Sequence, residues 1–170
     1  TISNTRAEDM AVVQAGNERV LSARMSDAAY FFDHDVKVTL ADRVEGLKKV
    51  TYQEKLGTVY DKVERVRKLT GHLAGIMQAD AGTAERAAYL AKADLLTGVV
   101  GEFPKLQGVM GSKYAILSGE NARVAAAIAE HYLPRFAGDA LPGSLEGMCV
   151  GIADRIDTIT GCFAAGLVPS

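Results

Sequence analysis

The feature that most constrains the fold is an apolar stripe that begins just after Thr58 and advances in steps of three or four residues. Its members are Val59, Val63, Val66, Leu69, Leu73 and Ile76. In an α-helix this spacing places every member on one face. A helix with one apolar face must bury that face against another element, so the stripe predicts a helix that packs inside a larger helical assembly.

Helical periodicity recurs along most of the chain, whereas strand signals are sparse. Residues 17–36 carry apolar side chains at near-helical spacing, and "LADRVEGLKKV" shows a shorter amphipathic repeat. The best candidate for extended or irregular chain is "KVTYQEKLG", with Gly57 as a turn residue. The pattern therefore favours an all-α fold class. We expect residues 1–16 to form an extended or loop segment and residues 17–170 to form one helical domain.

Capping residues and prolines predict where the later helices begin and end. Thr83 is expected to cap a helix that runs through Asp94 to about Val100, and Pro104 fits the first turn of another. Asn121 is expected to cap "ARVAAAIAEHYL". The stretch "PRFAGDALPGS" is typical of a loop, and Ser144 begins a long final helix.

Composition excludes several classes of protein. The chain has 170 residues, of which 48% are hydrophobic, and a formal net charge of −2, so it can bury the core of one globular domain. It has neither a run of 18 apolar residues nor a basic-then-apolar leader, and we expect a cytoplasmic protein without a membrane span. Cys149 and Cys162 are expected to be reduced core residues. Because the chain begins with Thr1, we expect a piece of a longer protein.

Two aspartates are expected on buried helix faces. The final helix combines a large apolar face with a second face of small residues around Asp154, and both faces are expected to be buried. Asp94 shares its helical face with Leu90, Ala91 and Gly98, and is also expected to point toward a neighbouring helix. An ionised carboxylate in such a seam is costly without a partner, so both side chains should be paired or hydrogen-bonded.

The stretch "YLAKADLL" resembles the small apolar helix on which HD phosphohydrolases carry a His-Asp metal-binding pair. The resemblance implies an HD-domain-like helical bundle, with Lys62 at the first histidine position, Ala93 and Asp94 at the pair, and Asp154 at the last aspartate position. Lysine is cationic and alanine has no donor atom, so the metal site would be degenerate and hold no metal. Two interpretations of Asp94 and Asp154 remain open. They are structural carboxylates that bind backbone or basic partners, or they belong to a residual metal-dependent phosphohydrolase.

Longer stretches resemble the bacterial glycyl-tRNA synthetase beta subunit. They occur in the order "GNERVLSARMSDAAYFF", "VTYQEKLGTVYDKVERVRKLTG", "RAAYLAKADLLTGVVGEFPKLQGVMGSKYA", "EHYLPRFAGDALP" and "ADRIDTITGCFAAGLVP". Two shorter motifs, "EFPKLQGVMG" and "YLPRFAGD", weigh most because amphipathic periodicity alone would not produce them. The resemblance covers nearly all of the chain after the first dozen residues and corresponds to the HD-like region of that subunit.

This resemblance implies participation in an ATP-dependent ligase that joins glycine to its tRNA. Its partners would be tRNA(Gly) and the alpha subunit of an α2β2 enzyme, and ATP and Mg²⁺ would be used on the alpha subunit. The present piece is then expected to contain no catalytic residue and no cofactor of its own. The residues agree, since the chain lacks a GxxxxGK[ST] loop and an HExxH motif, and His34, His72 and His131 have no ligand-set spacing.

A local excess of basic residues is the one sequence signal for RNA. Residues 43–68 hold eight Lys and Arg against four Asp and Glu, a local net charge of 8 − 4 = +4. Such side chains neutralise phosphates without reading sequence. The candidate tRNA-binding residues are Lys55, Lys62, Arg65, Arg67, Lys68, Lys113 and Arg135.

Other interpretations of the same signal remain open. Asp61 with Arg65 and Glu64 with Lys68 have i,i+4 spacing, so half of the basic cluster could be a solvated helix face. The alternatives to a tRNA-binding module are therefore a structural or subunit-interaction module without tRNA contact, and the residual phosphohydrolase.

Overall fold

The computed structural model describes residues 10–167. Within that range it has eight α-helices: α1 (Met10–Asp35), α2 (Leu40–Arg43), α3 (Val59–Met77), α4 (Ala81–Leu90), α5 (Gly98–Glu102), α6 (Val109–Leu117), α7 (Ala122–Glu130) and α8 (Leu145–Ala164). Three 3₁₀ segments cover Val44–Lys49, Ala93–Leu96 and Pro104–Leu106. Two short antiparallel strands, β1 (Thr51–Gln53) and β2 (Gly57–Thr58), complete the regular secondary structure of the described residues. The predicted all-α class is confirmed, with one hairpin that begins inside "KVTYQEKLG" and ends one residue beyond it, at Thr58.

Helix α3 is the centre of the bundle. Thr58 caps it in a reciprocal capping box with Asp61, and its buried face packs against α4 and α8. Val59, Val63 and Val66 are buried as the apolar stripe predicts. In the last turn, however, Ala74 is buried while Ile76 is 66% exposed.

A second group of helices closes the core. Helix α7 packs against α4, α6 and α8, and the side chains between these helices and α3 form one continuous cluster. Its largest fully buried apolar members are Leu40, Leu47, Leu90 and Ile128. Helix α1 joins the bundle near its C-terminal end, where the buried Asp35 carboxylate accepts hydrogen bonds from the backbone N–H groups of Gly98 and Val99.

Most of the predicted helix ends are confirmed. The side chains of Asn121 and Ser144 cap α7 and α8, and Pro104 opens a 3₁₀ turn. The cap of α4 is different, because the Asp80 carboxylate accepts from the backbone N–H of Thr83 and the helix starts three residues earlier than Thr83 would allow.

The prediction of one helix from Thr83 through Asp94 to Val100 is wrong. Helix α4 ends at Leu90, Lys92 leaves helical geometry, and a 3₁₀ turn precedes a new helix capped by the Thr97 hydroxyl. The Thr97 side chain competes for backbone partners by donating to the carbonyl of Asp94 and accepting from the N–H of Val100. Local side-chain bonding of this type begins α5 as a separate helix at Gly98, after α4 has ended at Leu90.

Two further expectations are corrected. Residues 10–16 belong to α1, so the expected extended N-terminal segment does not hold for them, and its remaining residues lie outside the described range. On α8 the small-residue face is buried, but the large apolar face is not: Ile152 and Ile156 are each 40% exposed and Phe163 is 56% exposed.

Both cysteines are free thiols, with Cys149 in the core and Cys162 half-buried. None of the helices within residues 10–167 is long and apolar enough to cross a membrane.

Candidate functional site

A buried cluster of charged groups lies in the seam between α3 and α8. Lys62 points from α3 toward α8, where its ammonium group lies 2.9 Å from Asp154 Oδ1 and 3.2 Å from Asp157 Oδ2. It also donates to the Thr158 hydroxyl at 2.8 Å. Burial opposes the charged form of Lys62, but the two aspartates outweigh it and raise the pKa of the ammonium group.

Lys92 brings a second ammonium group to the same carboxylate. Its Nζ lies 2.9 Å from Asp154 Oδ2, 2.9 Å from His131 Nε2 and 3.2 Å from the Tyr132 hydroxyl, so its three N–H donors all have partners. Burial lowers the pKa of Lys92, and Asp154 offsets only part of that effect. Each oxygen of Asp154 thus lies 2.9 Å from a lysine nitrogen: Lys92 donates a hydrogen bond to Oδ2, whereas Lys62 forms an ion pair with Oδ1 without a hydrogen bond.

The hydrogen bonds of His131 assign its tautomer. The imidazole Nδ1 lies 2.6 Å from the carbonyl oxygen of Ile128, to which it must donate, and Nε2 then accepts from Lys92. Burial and the adjacent Lys92 lower the pKa of His131 to about 3, so the ring is neutral. Burial also opposes ionisation of Asp154, but Lys92 and Lys62 dominate and hold its pKa below the usual range.

Asp94 lies in a different environment. Its Oδ2 accepts from the backbone N–H groups of Gly108 at 2.7 Å and Gly111 at 3.1 Å, at the start of α6. Its other carboxylate oxygen has no hydrogen-bond partner. Burial raises the pKa of Asp94 and outweighs the stabilising effect of the two N–H groups.

The structure brings together only part of the predicted set of metal positions. Lys62 and Asp154 are in direct contact, but no hydrogen bond or ion pair within residues 10–167 joins Asp94 to either of them. Ala93 is fully buried in the core, and its neighbour Lys92 is the residue that reaches Asp154. Of the predicted positions, Lys62 therefore contacts Asp154, whereas Asp94 instead binds the backbone of Gly108 and Gly111 and Ala93 packs in the core.

Four members of the cluster were missed from the sequence. Asp157 and Thr158 follow Asp154 by three and four residues, so helical spacing could have placed them beside it. Lys92 lies within "YLAKADLL", but its orientation depends on the end of α4. His131 has no local signal, because the burial of its ring depends on contacts between distant helices.

The predicted tRNA-binding residues lie on different elements and differ in exposure. Lys62 is only 5% exposed and cannot contact a nucleic acid, which corrects its inclusion. Arg65 is tied to Asp157 on α8 and not to Asp61, while Glu64 pairs with Arg67 and not with Lys68. Lys68 and Lys113 are exposed, and the exposed Lys55 and Arg135 bond to the carbonyl of Ala165 and to Asp139.

The donor set around Asp154 does not fit a divalent cation. Two ammonium groups already bind its two oxygens, His131 directs its free lone pair to Lys92, and Ala93 has no donor atom. Within residues 10–167 no group of three or more His, Cys, Asp or Glu side chains is arranged to hold a metal ion. Fold and cluster together define a class of helical domain whose buried carboxylates are held by ammonium and backbone N–H groups.

Comparison with known proteins shows the family of the chain. Residues 1–170 match the family model of the glycyl-tRNA synthetase beta subunit. The chain is 58% identical to the glycine–tRNA ligase beta subunit of Geobacter sulfurreducens and 56% identical to that of Geobacter metallireducens, each over the whole chain. It therefore belongs to the glycyl-tRNA synthetase beta subunit family. The chain spans 25% of the length of these relatives.

Proposed function

We propose that this chain is a non-catalytic helical module of the beta subunit of a glycine–tRNA ligase, and that it supports the binding of tRNA(Gly). The ATP-dependent joining of glycine to tRNA takes place with the alpha subunit, where ATP and Mg²⁺ are used, and the module needs no cofactor of its own. It works in the cytoplasm. Its fold is an HD-like bundle in which the metal position has become a salt-bridged cluster.

The observation that carries the non-catalytic assignment is the pair of lysine ammonium groups on Asp154. In an HD-like site, the corresponding carboxylate binds a metal ion and the neighbouring side chains are neutral imidazoles. Here both oxygens of Asp154 lie 2.9 Å from lysine nitrogens. A cation already present at each oxygen repels a divalent ion and stabilises the helical seam instead. Residual metal-dependent phosphohydrolysis therefore has no support from this donor set.

Exposed basic side chains support the tRNA-binding part of the proposal. Lys68 is exposed on α3, and Arg67, whose side chain is 39% exposed, lies beside it. Lys48 and Lys49 are exposed on the preceding 3₁₀ segment. Long-range attraction of phosphates needs accessible cations but no base-specific geometry, so such residues suit the non-specific part of tRNA affinity.

Hydrogen–deuterium exchange on the complete two-subunit ligase tests the proposal. Addition of tRNA(Gly) should increase amide protection in peptides within residues 10–167. The double substitution Arg67→Ala and Lys68→Ala should weaken tRNA binding and make it less dependent on salt. The control is the equal charge change Arg19→Ala, on α1, and Lys37→Ala, just after α1. If tRNA changes no peptide of this range, the module does not contact tRNA and the proposal fails.

One observation favours a second candidate function, a structural or subunit-interaction module. The face of α8 that carries Ile152, Ile156, Ile159 and Phe163 is apolar and at least 40% exposed at each of these residues. An exposed stripe of this kind marks an interface. If Ile156→Asp and Ile159→Asp break assembly of the ligase while the Arg67 and Lys68 substitutions leave tRNA affinity unchanged, the second function replaces the first.

A further inference from the structure

The two motifs that helical periodicity does not explain form opposite walls of one surface groove. "EFPKLQGVMG" contributes Pro104, Lys105 and Gln107, and "YLPRFAGD" contributes Tyr132, Leu133 and Arg135. We call this feature the 104–135 groove. It encloses about 370 Å³. The motifs lie some distance apart in the chain and meet only because α6 packs against α7.

The first wall is fixed by Asp94. This carboxylate binds the backbone N–H groups of Gly108 and Gly111. Gly108 directly follows Gln107, which lines the groove. Gly108 has a φ angle of +76°, and a Cβ atom there would lie 2.6 Å from the Tyr132 ring. The close approach of the two walls therefore requires glycine at position 108.

The second wall is fixed by Arg155. Its guanidinium donates to the carbonyl oxygens of His131, Tyr132, Leu133 and Pro134, which are consecutive residues of the chain. The Tyr132 hydroxyl donates to Gln107 Oε1 at 3.1 Å and thereby ties the two walls together. Because the hydrogen bonds of Asp94 and Arg155 fix the backbone of both walls, the groove is preorganised, which reduces the entropy lost on binding.

The rim has the chemistry of a site for nucleic acid. Lys105 is exposed, and the Arg135 guanidinium lies 5.9 Å from the ring of Phe136, which is 64% exposed. The one carboxylate that lines the groove, Glu130, is engaged by the backbone N–H and hydroxyl of Ser144. The Arg135 guanidinium also pairs with the Asp139 carboxylate, to which Nε and Nη2 donate at 2.8 and 3.3 Å. Lys105 and the remainder of the exposed Arg135 guanidinium therefore face solvent near an accessible aromatic ring.

We propose that the 104–135 groove, together with the ring of Phe136 next to Arg135, binds an unpaired nucleotide of RNA. Its base stacks on the Phe136 ring, and its phosphates lie against Lys105 and Arg135. Stacking on aromatic side chains combined with a basic rim is the usual recognition of unpaired nucleotides. An acidic peptide would use the two cations but would not need the exposed ring face. The inference rests on the proposed function and specifies which surface of the module contacts tRNA.

The test measures the affinity of the complete ligase for tRNA(Gly). Phe136→Ala should weaken binding roughly tenfold, in line with the loss of one stacked base, while Phe136→Trp should retain it. Lys105→Ala should lower the salt dependence of binding by about one counterion. Leu141→Ala, an equally exposed apolar residue of the same loop, and Lys37→Ala are the matched controls and should bind as wild type.

The outcomes separate this inference from the proposed function. If Phe136→Ala and Lys105→Ala leave affinity unchanged while tRNA still protects other peptides of residues 10–167, the groove is not the contact and only this inference is overturned. If tRNA protects no peptide of that range, the proposed function itself fails. Loss of alpha-subunit association in the Phe136→Ala enzyme, with tRNA affinity retained, would make the groove a protein interface and would also overturn the inference.

Discussion

Asp94 and Asp154 are both largely buried, yet different kinds of group bind their carboxylates. Asp154 is held by two ammonium groups from α3 and from the chain after α4, whereas Asp94 is held by two backbone N–H groups at the start of α6. The pKa of Asp154 is lowered and that of Asp94 is raised. In this core, the two lysine ammonium groups stabilise ionised Asp154 more than the two backbone N–H groups stabilise ionised Asp94.

The difference also separates two structural roles. Asp154 joins side chains from three parts of the chain and stabilises the packing of helices. Asp94 fixes the local path of the backbone at Gly108 and Gly111, and through it one wall of the 104–135 groove. Removing the first should therefore act mainly on global stability, while removing the second should act on stability and on the groove together.

The largest effect is expected for Asp154→Ala. This substitution leaves the Lys62 and Lys92 ammonium groups buried without their shared carboxylate, and should lower the free energy of unfolding by about 3–5 kcal/mol. Urea unfolding followed by circular dichroism measures the change. Adding Lys92→Met should restore part of the loss, because it removes one of the uncompensated charges. A loss of under about 1 kcal/mol for Asp154→Ala would mean that water reaches the cluster and that the two aspartates do not differ as described.

A smaller effect is expected for Asp94→Ala. The two N–H groups of Gly108 and Gly111 would lose their acceptor in the core, and the free energy of unfolding should fall by about 2–3 kcal/mol. Asp94→Asn keeps an acceptor oxygen and should cost less than Asp94→Ala, which the same unfolding assay resolves. Asp94→Ala should also weaken tRNA binding if the groove is the contact. An Asn variant as unstable as the Ala variant would show that charge, not the hydrogen bonds, is what matters at this position.

The pH dependence of stability gives the smallest and most specific test. Between the unfolded pKa of His131, about 6.5, and its folded value the unfolded chain binds more protons, so the His131 contribution to stability falls as pH decreases. Asp94 acts in the opposite direction: its folded pKa is raised, so its contribution falls as pH rises above about 4.

The substitution His131→Gln isolates the contribution of His131 to the pH dependence of stability. It should reduce the slope of stability against pH by up to about 1.4 kcal/mol per pH unit between pH 4 and 6. Unfolding curves at several pH values, with His72→Gln on the exposed side of α3 as the control, measure this change. Equal slopes for wild type and His131→Gln would mean that the ring titrates normally and is not confined between Lys92 and Ile128.

Local features of the sequence predicted much of the secondary structure. The apolar stripe and Thr58 predicted α3, and Asn121 and Ser144 predicted the starts of α7 and α8, because capping and helical periodicity depend on residues within a few positions of each other. The same reasoning failed between Leu90 and Gly98. There Lys92 leaves helical geometry, and the Thr97 hydroxyl, bonded to the backbone of Asp94 and Val100, begins a separate helix. Apolar periodicity indicates neither break.

The candidate site was only partly predictable. Asp94 and Asp154 were recognised as carboxylates that need partners, since each lies among apolar or small residues at helical spacing. Their partners could not be inferred. Lys92 binds Asp154, and His131 binds Lys92, from segments distant in sequence. Gly108 and Gly111 bind Asp94 through backbone atoms that carry no residue-specific signal.

The sequence by itself therefore determined the helical class of this protein, most of its helix starts and the positions of its two costly carboxylates, because those properties follow from local spacing and side-chain chemistry. Tertiary structure decided that Lys92, not Ala93, faces Asp154, that Lys62 is buried, and that the two non-periodic motifs share one groove. These outcomes depend on which helices pack together and at what rotation, and small differences among many long-range contacts set that arrangement.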